Sequence, residues 1–244
     1  KTKIIFFDYN IDNLSMRESL GIINDSIRSN KNIQHVVLNV AKLVNSRNDP
    51  LLRDSIQNAD IINIDGAGII YGMRLLGLKP KERVAGIDLM FNLLTESEEY
   101  GFTVYFLGAT DEVLDKMISS FKIKFPNLII AGFQNGYFIN EDEKSIVQEI
   151  ASINPNIIFV GISSPKKEIF IKKYKDKLNT NFIMGVGGSF DIFAGKTKRA
   201  PTIFQKNGLE WLYRIYQEPG RMWKRYAITN TIYIWLLLKK LLLK

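Results

Sequence analysis

The sequence predicts an α/β fold: a mainly parallel sheet with helices on both faces, followed by a C-terminal helical appendage. Three observations predict it. Short, nearly continuous apolar runs rich in Ile, Val and Phe alternate with segments of helical length, the pattern of a parallel sheet covered on both faces. Several of those runs end in Gly or Asp, as expected where ligands bind outside the carboxyl ends of an open α/β sheet. Finally, the charge is uneven. Residues 196–244 hold 11 Lys/Arg against two acids, a surplus of +9 in a chain whose total is +8, so residues 1–195 are close to neutral. The division follows: a near-neutral core over 1–195 and a basic, amphipathic appendage over 196–244.

Ser15-Met-Arg-Glu18 is a capping-box pattern that opens a first helix. Residues 35–39 read as a strand, and the lone histidine, His35, as a strand residue rather than a catalytic one. A helix with Val40, Leu43 and Val44 on one face follows. A second strand covers 60–65 and turns at Gly66 into a helix. Apolar runs at 102–108, 128–132, 156–161 and 181–185 supply four more strands, the first three each followed by a helix. No internal repeat or low-complexity linker interrupts them.

The appendage mixes Trp, Tyr, Leu and Ile with Arg and Lys at 210–216, 221–226 and 232–243. As a helix the last run spans ~18 Å at ~1.5 Å per residue, short of a ~30 Å bilayer core. It reads as an interfacial helix with Tyr233 and Trp235 at headgroup depth and lysines towards lipid phosphates. The alternative is a helix docked on the body or on another subunit, and a homo-oligomer is allowed. Interleaved Leu and Ile suit lipid better than nucleic acid, so no nucleic-acid partner is expected. The amino-terminal segment shows no signal-peptide pattern.

With no cysteine and one histidine, disulfides, thiolate or multi-histidine metal sites and cysteine nucleophiles are excluded. The absence of cysteine fits a reducing, cytosolic setting. No Asp-x-Asp pair closes a strand as a metal-dependent sugar-transfer site would require, and Glu141-Asp-Glu143 reads as an acidic helix start. No metal and no cofactor are expected. Asp65 stands directly after a strand and before a helix, where it either meets a substrate hydroxyl or caps the helix. The run Gly66-Ala-Gly68-Ile-Ile-Tyr71-Gly72, with Asp88 downstream, invites a rival NAD-dependent dehydrogenase. But the third glycine falls one residue late, behind a bulky Tyr71. Without a metal, an anionic leaving group needs fixed cations. Arg83 in the loop 79–84 and Arg214, Arg221, Lys224 and Arg225 in the tail read singly as solvated charges and together as a mobile clamp. The turns at Gly108-Ala109 and Gly185–Ser189 let backbone approach a phosphate or ribose. Asp191 falls within reach of a ribose or base, and Gly136-Tyr137 offers a stacking ring.

Eight ordered segments then identify a resemblance across nearly the whole length. They are Asn63-Ile-Asp-Gly-Ala-Gly68, Arg74-Leu-Leu-Gly77, Glu82-Arg-Val-Ala-Gly-Ile-Asp-Leu89, Phe106-Leu-Gly-Ala109, Asn135-Gly-Tyr-Phe138, Gly185-Val-Gly-Gly-Ser-Phe-Asp191, Lys198-Arg-Ala-Pro201 and Gly208-Leu-Glu-Trp-Leu-Tyr-Arg214. The chain resembles the WecG/TagA/CpsF glycosyltransferase family. The resemblance implies a Rossmann-like core and an inverting transfer of an N-acetylmannosamine-type sugar from UDP to an undecaprenyl-diphosphate-linked sugar, in bacterial surface polysaccharide or teichoic acid synthesis. It implies Asp65 as general base, Arg83 as a leaving-group or substrate contact, Asn39 as a pocket residue, and Arg214 and Arg221 as arginines of the appendage that complete the site. The expected partners are therefore a UDP-sugar donor, a polyprenyl-diphosphate-linked acceptor and an anionic membrane surface, at the inner face of the cell membrane. A third class, a non-catalytic membrane-bound scaffold with a nucleotide pocket, stays open. Two departures mark this sequence: Val37 where such proteins commonly have Thr, and Lys167 in Pro165-Lys-Lys-Glu168 where they have Gln. Lys167 is read as meeting an anionic group on the donor, or else as a solvated first-turn residue.

Overall fold

A computed structural model describes residues 2–243, without the side chain of Arg221. The chain begins with an antiparallel hairpin, β1 (Lys3–Phe6) and β2 (Tyr9–Asp12), followed by α1 (Met16–Arg28). Alternation then sets in: β3 (Ile33–Leu38), α2 (Val40–Asn45), α3 (Pro50–Gln57), β4 (Ile61–Ile64), α4 (Ala67–Leu75), α5 (Gly86–Tyr100), β5 (Val104–Gly108), α6 (Asp111–Lys124) and β6 (Ile130–Gln134). There follow α7 (Glu143–Ile153), β7 (Ile157–Gly161), α8 (Lys166–Tyr174) and β8 (Phe182–Gly185). Four helices close the chain: α9 (Ser189–Phe193), α10 (Thr202–Lys206), α11 (Glu210–Gln217) and α12 (Pro219–Leu242).

The expected α/β class holds. Strands β3 to β8 form one six-stranded parallel sheet in the order β4-β3-β8-β7-β5-β6. Helices α1, α5, α6 and α9 cover one face around Phe106, Phe121, Phe159 and Phe190. On the other face α7 and α8 pack over Tyr105, Ile158 and Ile183, while α2, α3, α4 and α12 close over Val36, Leu38 and Ile62. Burial on both faces explains why these strands read as continuous apolar runs rather than alternating ones. The capping box at Ser15 and Glu18 forms, with both reciprocal bonds present.

The hairpin was not foreseen. Its strands are four residues each, joined by a turn with Phe7 at φ +50 and no Gly, Pro or Asn in the turn itself. Phe6, Tyr9 and Ile11 are buried, and the Asp12 carboxylate accepts from the backbone N–H of Ile62 at 2.9 Å. Edge strand β4 is thereby shielded from pairing with another chain.

The appendage also differs from expectation. Segments read as separate at 221–226 and 232–243 belong to one 24-residue helix, ~36 Å long at ~1.5 Å per residue. Among the described residues no helix is long and apolar enough to cross a membrane. Nor is Tyr233 at headgroup depth. It is buried with Met222, Thr229, Leu236 and Leu237 in a stripe against the body, whereas Trp223, Ile234, Trp235, Leu238 and Leu242 stay exposed. Helix α12 thus has two apolar faces, one docked and one free.

Candidate active site

The site follows from where the strands stop. Two places in the sheet have chains leaving adjacent strands in opposite directions. At one, β5 leads outward to β6 while β7 leads back to β8. At the other, β3 leads to β4 while the chain after β8 enters α9, which packs on α6. Crevices at such points receive ligands in open α/β sheets.

At the first crevice the strand ends are bare. Gly108 (φ +141) and Ala109 (φ +57) form a left-handed turn, with Ala109 N–H donating to the Gly161 carbonyl at 3.3 Å and Gly136 N–H to the Ala109 carbonyl at 2.9 Å. A Cβ at Gly136 would stand 2.8 Å from the Gly108 Cα, and one at Gly108 would strike the Gly161 backbone. The glycines there are needed for close approach. Tyr137 follows directly, and its side chain is 79% exposed.

On the opposite flank, Asp65 follows β4. Its backbone N–H donates to the Leu38 carbonyl at 2.9 Å, and Gly66 at φ +104 takes the N-cap position of α4. No side chain caps that helix, so the capping alternative for Asp65 is not realised and its carboxylate stays available. Asn39, at the end of β3, caps α2 by accepting from Lys42 N–H at 2.9 Å, and its Cβ lies 3.9 Å from where a Gly66 Cβ would stand.

Arg83 reaches the same place because Val84 N–H bonds the Ile64 carbonyl at 2.9 Å, pinning the α4–α5 loop to the end of β4. Its Nε lies 3.6 Å from Asp65 Oδ1, and its Nη2 pairs with Glu210 Oε2 at 2.5 Å. Arg199 grips Asp88 with two bonds of 2.6 and 2.7 Å, the fork geometry that guanidinium favours. Hydrogen bonding to Asp88 raises the Arg199 pKa above its ordinary value.

Between the two flanks lies Lys167. It is not solvated: it is 5% exposed, and its stem runs over Gly185, where a Cβ would stand 2.9 Å from its Cε. Its Nζ pairs with Glu168 at 2.6 Å, and Lys42 reaches the same carboxylate oxygen at 3.0 Å while donating to the Val37 carbonyl. Burial, then the neighbouring Lys42 ammonium, brings the Lys167 pKa down to about 8. Burial alone would raise Glu168, yet the ammonium groups of Lys42 and Lys167 bring it down to about 2. Two cations share one anion here, a surplus of positive charge held out of water.

In strand order these groups form a row: Asp65 after β4, Asn39 after β3, Gly185 ending β8, Lys167 after β7, Gly108 ending β5 and Gly136 after β6. Asp65 to Gly108 is four strand spacings, ~19 Å at ~4.8 Å each. A profile of the Glycosyl transferase WecG/TagA/CpsF family matches residues 4–244 of the chain. The protein belongs to this family. Over 177 residues it is 36% identical to the N-acetylglucosaminyldiphosphoundecaprenol N-acetyl-beta-D-mannosaminyltransferase of Bacillus spizizenii, covering 72% of this chain and 68% of that protein. Against the protein of the same name from Bacillus subtilis it is 34% identical over 182 residues, covering 72% and 70%.

As a WecG/TagA/CpsF member the chain is a glycosyltransferase. The structure does not bring every expected residue in. Arg214 is exposed on α11, Arg221 lies outside the described side chains, and Asp191 sits in α9 with Lys196 Nζ 3.6 Å away. Sequence reasoning missed Glu210, Arg199, Lys42 and Glu168 as site groups. The signal for Glu210 and Arg199 was present, since both fall inside the segments that carry the family resemblance.

Proposed function

We propose that this protein is an inverting, metal-independent glycosyltransferase that moves an N-acetylmannosamine-type or related sugar, neutral or acidic, from a UDP-sugar to an undecaprenyl-diphosphate-linked sugar in surface polysaccharide or teichoic acid synthesis. The observation that carries the reading is Asp65: a strand-end carboxylate left uncapped, beside a guanidinium. The acceptor hydroxyl oxygen attacks the anomeric carbon of the donor and its proton passes to Asp65. The bond from that carbon to the phosphate oxygen breaks, and its electron pair leaves with UDP. Arg83 meets the charge building on the diphosphate without a metal ion, and Arg214 and Arg221 join it only once the appendage closes over the bound donor. Asn39 orients the sugar, Gly108, Ala109 and Gly136 admit the nucleotide backbone, Tyr137 stacks on the base, and Asp191 takes a ribose hydroxyl. Lys167 meets an anionic group of the donor.

The acceptor's lipid tail calls for work at a membrane surface. The exposed face of α12 carries Trp223, Ile234, Trp235 and Leu238 among the basic residues of the appendage, which suits binding at the interface of an anionic leaflet. The dehydrogenase rival loses its two marker residues. The space beyond Gly72 is filled by Tyr233 rather than a strand, and Asp88 is occupied by Arg199.

The test is UDP release from a panel of neutral and acidic UDP-sugars with a short-chain polyprenyl-diphosphate-GlcNAc acceptor and EDTA. Release from one donor, lost in Asp65→Ala, is expected. Chelator-sensitive turnover, or wild-type turnover by Asp65→Ala, would sink the mechanism. Release from no donor by folded protein would favour the silent scaffold.

A further inference from the structure

Two ion pairs cross the boundary between core and appendage, in opposite senses. Arg83 of the core is held by Glu210 of the appendage, and Arg199 of the appendage is held by Asp88 of the core. Both lie beside Asp65, whose carboxylate is close enough to influence Arg199 electrostatically. The backbone supports the same junction, since the Gln205 carbonyl faces Arg83 Nη1 at 3.5 Å.

The Arg83 Nε proton is the telling detail. Nε is buried, it has no hydrogen-bond partner, and Asp65 Oδ1 stands 3.6 Å from it. A charge-assisted bond between such groups normally closes to ~2.8 Å. The pull of Asp65 on Arg83 is thus opposed by something, and the only short contact on the guanidinium among the described residues is Glu210. We infer that Glu210 is a positioning residue that draws Arg83 back from Asp65, so that the carboxylate stays free for a hydroxyl proton and the Nε edge stays free for a leaving diphosphate. The appendage then acts on catalysis through one carboxylate, independently of any role at the membrane. Arg199 and Asp88 form the second half of the clasp that fixes where Glu210 sits.

This inference rests on the reading of Asp65 as base and Arg83 as leaving-group contact, and it is tested in two arms. The first needs no turnover. In a crystal structure of Glu210→Gln without ligand, Arg83 Nε is expected within ~3.0 Å of Asp65 Oδ1, with α11 still in place. A separation unchanged from the wild type, or a guanidinium swung into solvent, overturns the inference. The second arm uses a short-chain, water-soluble acceptor so that membrane binding plays no part. Glu210→Gln is expected to lose about 10- to 100-fold in kcat, with the donor KM within about twofold. Glu210→Asp, which restores the charge one methylene short, is expected to recover part of the loss. With Trp223 and Trp235 replaced by Phe in both proteins, the fluorescence of the neighbouring Trp211 reports whether α11 remains docked. A rise in KM with kcat unchanged, or a loss of rate only where Trp211 shows the appendage released, overturns it. If wild-type protein turns over no donor, the glycosyl-transfer reading fails while the structural arm still decides whether Glu210 holds Arg83 off Asp65.

Discussion

The phenol of Tyr233 donates a hydrogen bond of 2.9 Å to the carbonyl of Gly68, 165 residues earlier in the chain. Burial pushes the Tyr233 hydroxyl above its ordinary pKa, so it remains a donor across the physiological range. Its ring covers Gly72, where an added Cβ would collide with the hydroxyl. Helix α12 is therefore keyed onto the first turns of the helix that begins beside Asp65.

Tyr233→Phe should lower stability by about 1 kcal/mol, the net worth of one hydrogen bond. Gly72→Ala should cost about 1–3 kcal/mol by overpacking, outweighing the ~1 kcal/mol that alanine gains in helix propensity. Thermal unfolding gives both values. Amide exchange should show α12 opening first in Gly72→Ala, and an unaltered exchange pattern would refute the keying.

Asp65→Asn removes the proton acceptor while keeping size and shape. Turnover should fall by about 10²- to 10⁴-fold, while UDP affinity, measured by calorimetry, stays within a few-fold of wild type. Loss of UDP binding instead would make Asp65 a ligand contact rather than a base.

Lys167→Gln should not destabilise the protein, because Glu168 keeps Lys42 at 3.0 Å and a buried ammonium is removed. Its effect should appear in the order of preferred donors, shifting away from those with an added negative group. An unchanged order would end the donor-contact role for Lys167.

His35 is fully buried, and its Nε2 donates to Asn63 Oδ1 at 2.9 Å. Burial lowers its pKa from 6.5 to about 4. Between those values the unfolded chain binds the proton and the folded one does not. Stability tied to His35 is thus full above pH 6.5 and lost as pH falls towards 4, by about 3 kcal/mol in all. Urea unfolding at pH 7 and pH 4.5 should show the decline, and His35→Gln should flatten that part of the slope.

Trp235→Glu places a charge on the outer face of α12, where Trp235 is 58% exposed. Sedimentation with vesicles of anionic lipid should show about tenfold weaker binding, with turnover of a water-soluble acceptor retained. The change disturbs an interfacial aromatic and adds like-sign repulsion. Undiminished vesicle binding would move the membrane contact elsewhere.

The six parallel strands were legible because each is a short apolar run with a helix or turn behind it. The hairpin was not: β1 and β2 offer only two or three apolar positions each, with no hairpin glycine to mark the turn. Between the segments at 221–226 and 232–243, Thr229 Oγ1 donates a bond to the Arg225 carbonyl at 2.8 Å and α12 runs on without a break. Apolar residues lie all round its last turns, so periodicity could not say which face docks. At the site, Asp65 was found from its strand end, and Asn39 only through the family resemblance. Glu210 and Arg199 were not assigned, because their partners lie 127 and 111 residues away and such pairing leaves no period in a sequence. Lys167 was read as a donor contact or else as a solvated first-turn lysine, and the sequence did not show that it is buried. Only the bare Gly185 beneath it makes the room that buries it.

The glycines at the crevice have a bearing on how proteins of this kind diverge. Gly108, Gly136 and Gly161 each abut backbone or the Phe190 ring so closely that no side chain can be added. That stretch of the cleft is closed to single substitutions, whatever advantage a new contact would bring. Variation that leaves these glycines in place must fall on neighbours that already carry a side chain, such as the buried Val37 and Lys167 and the exposed Tyr137. Two of those three already depart from the common family pattern in this chain.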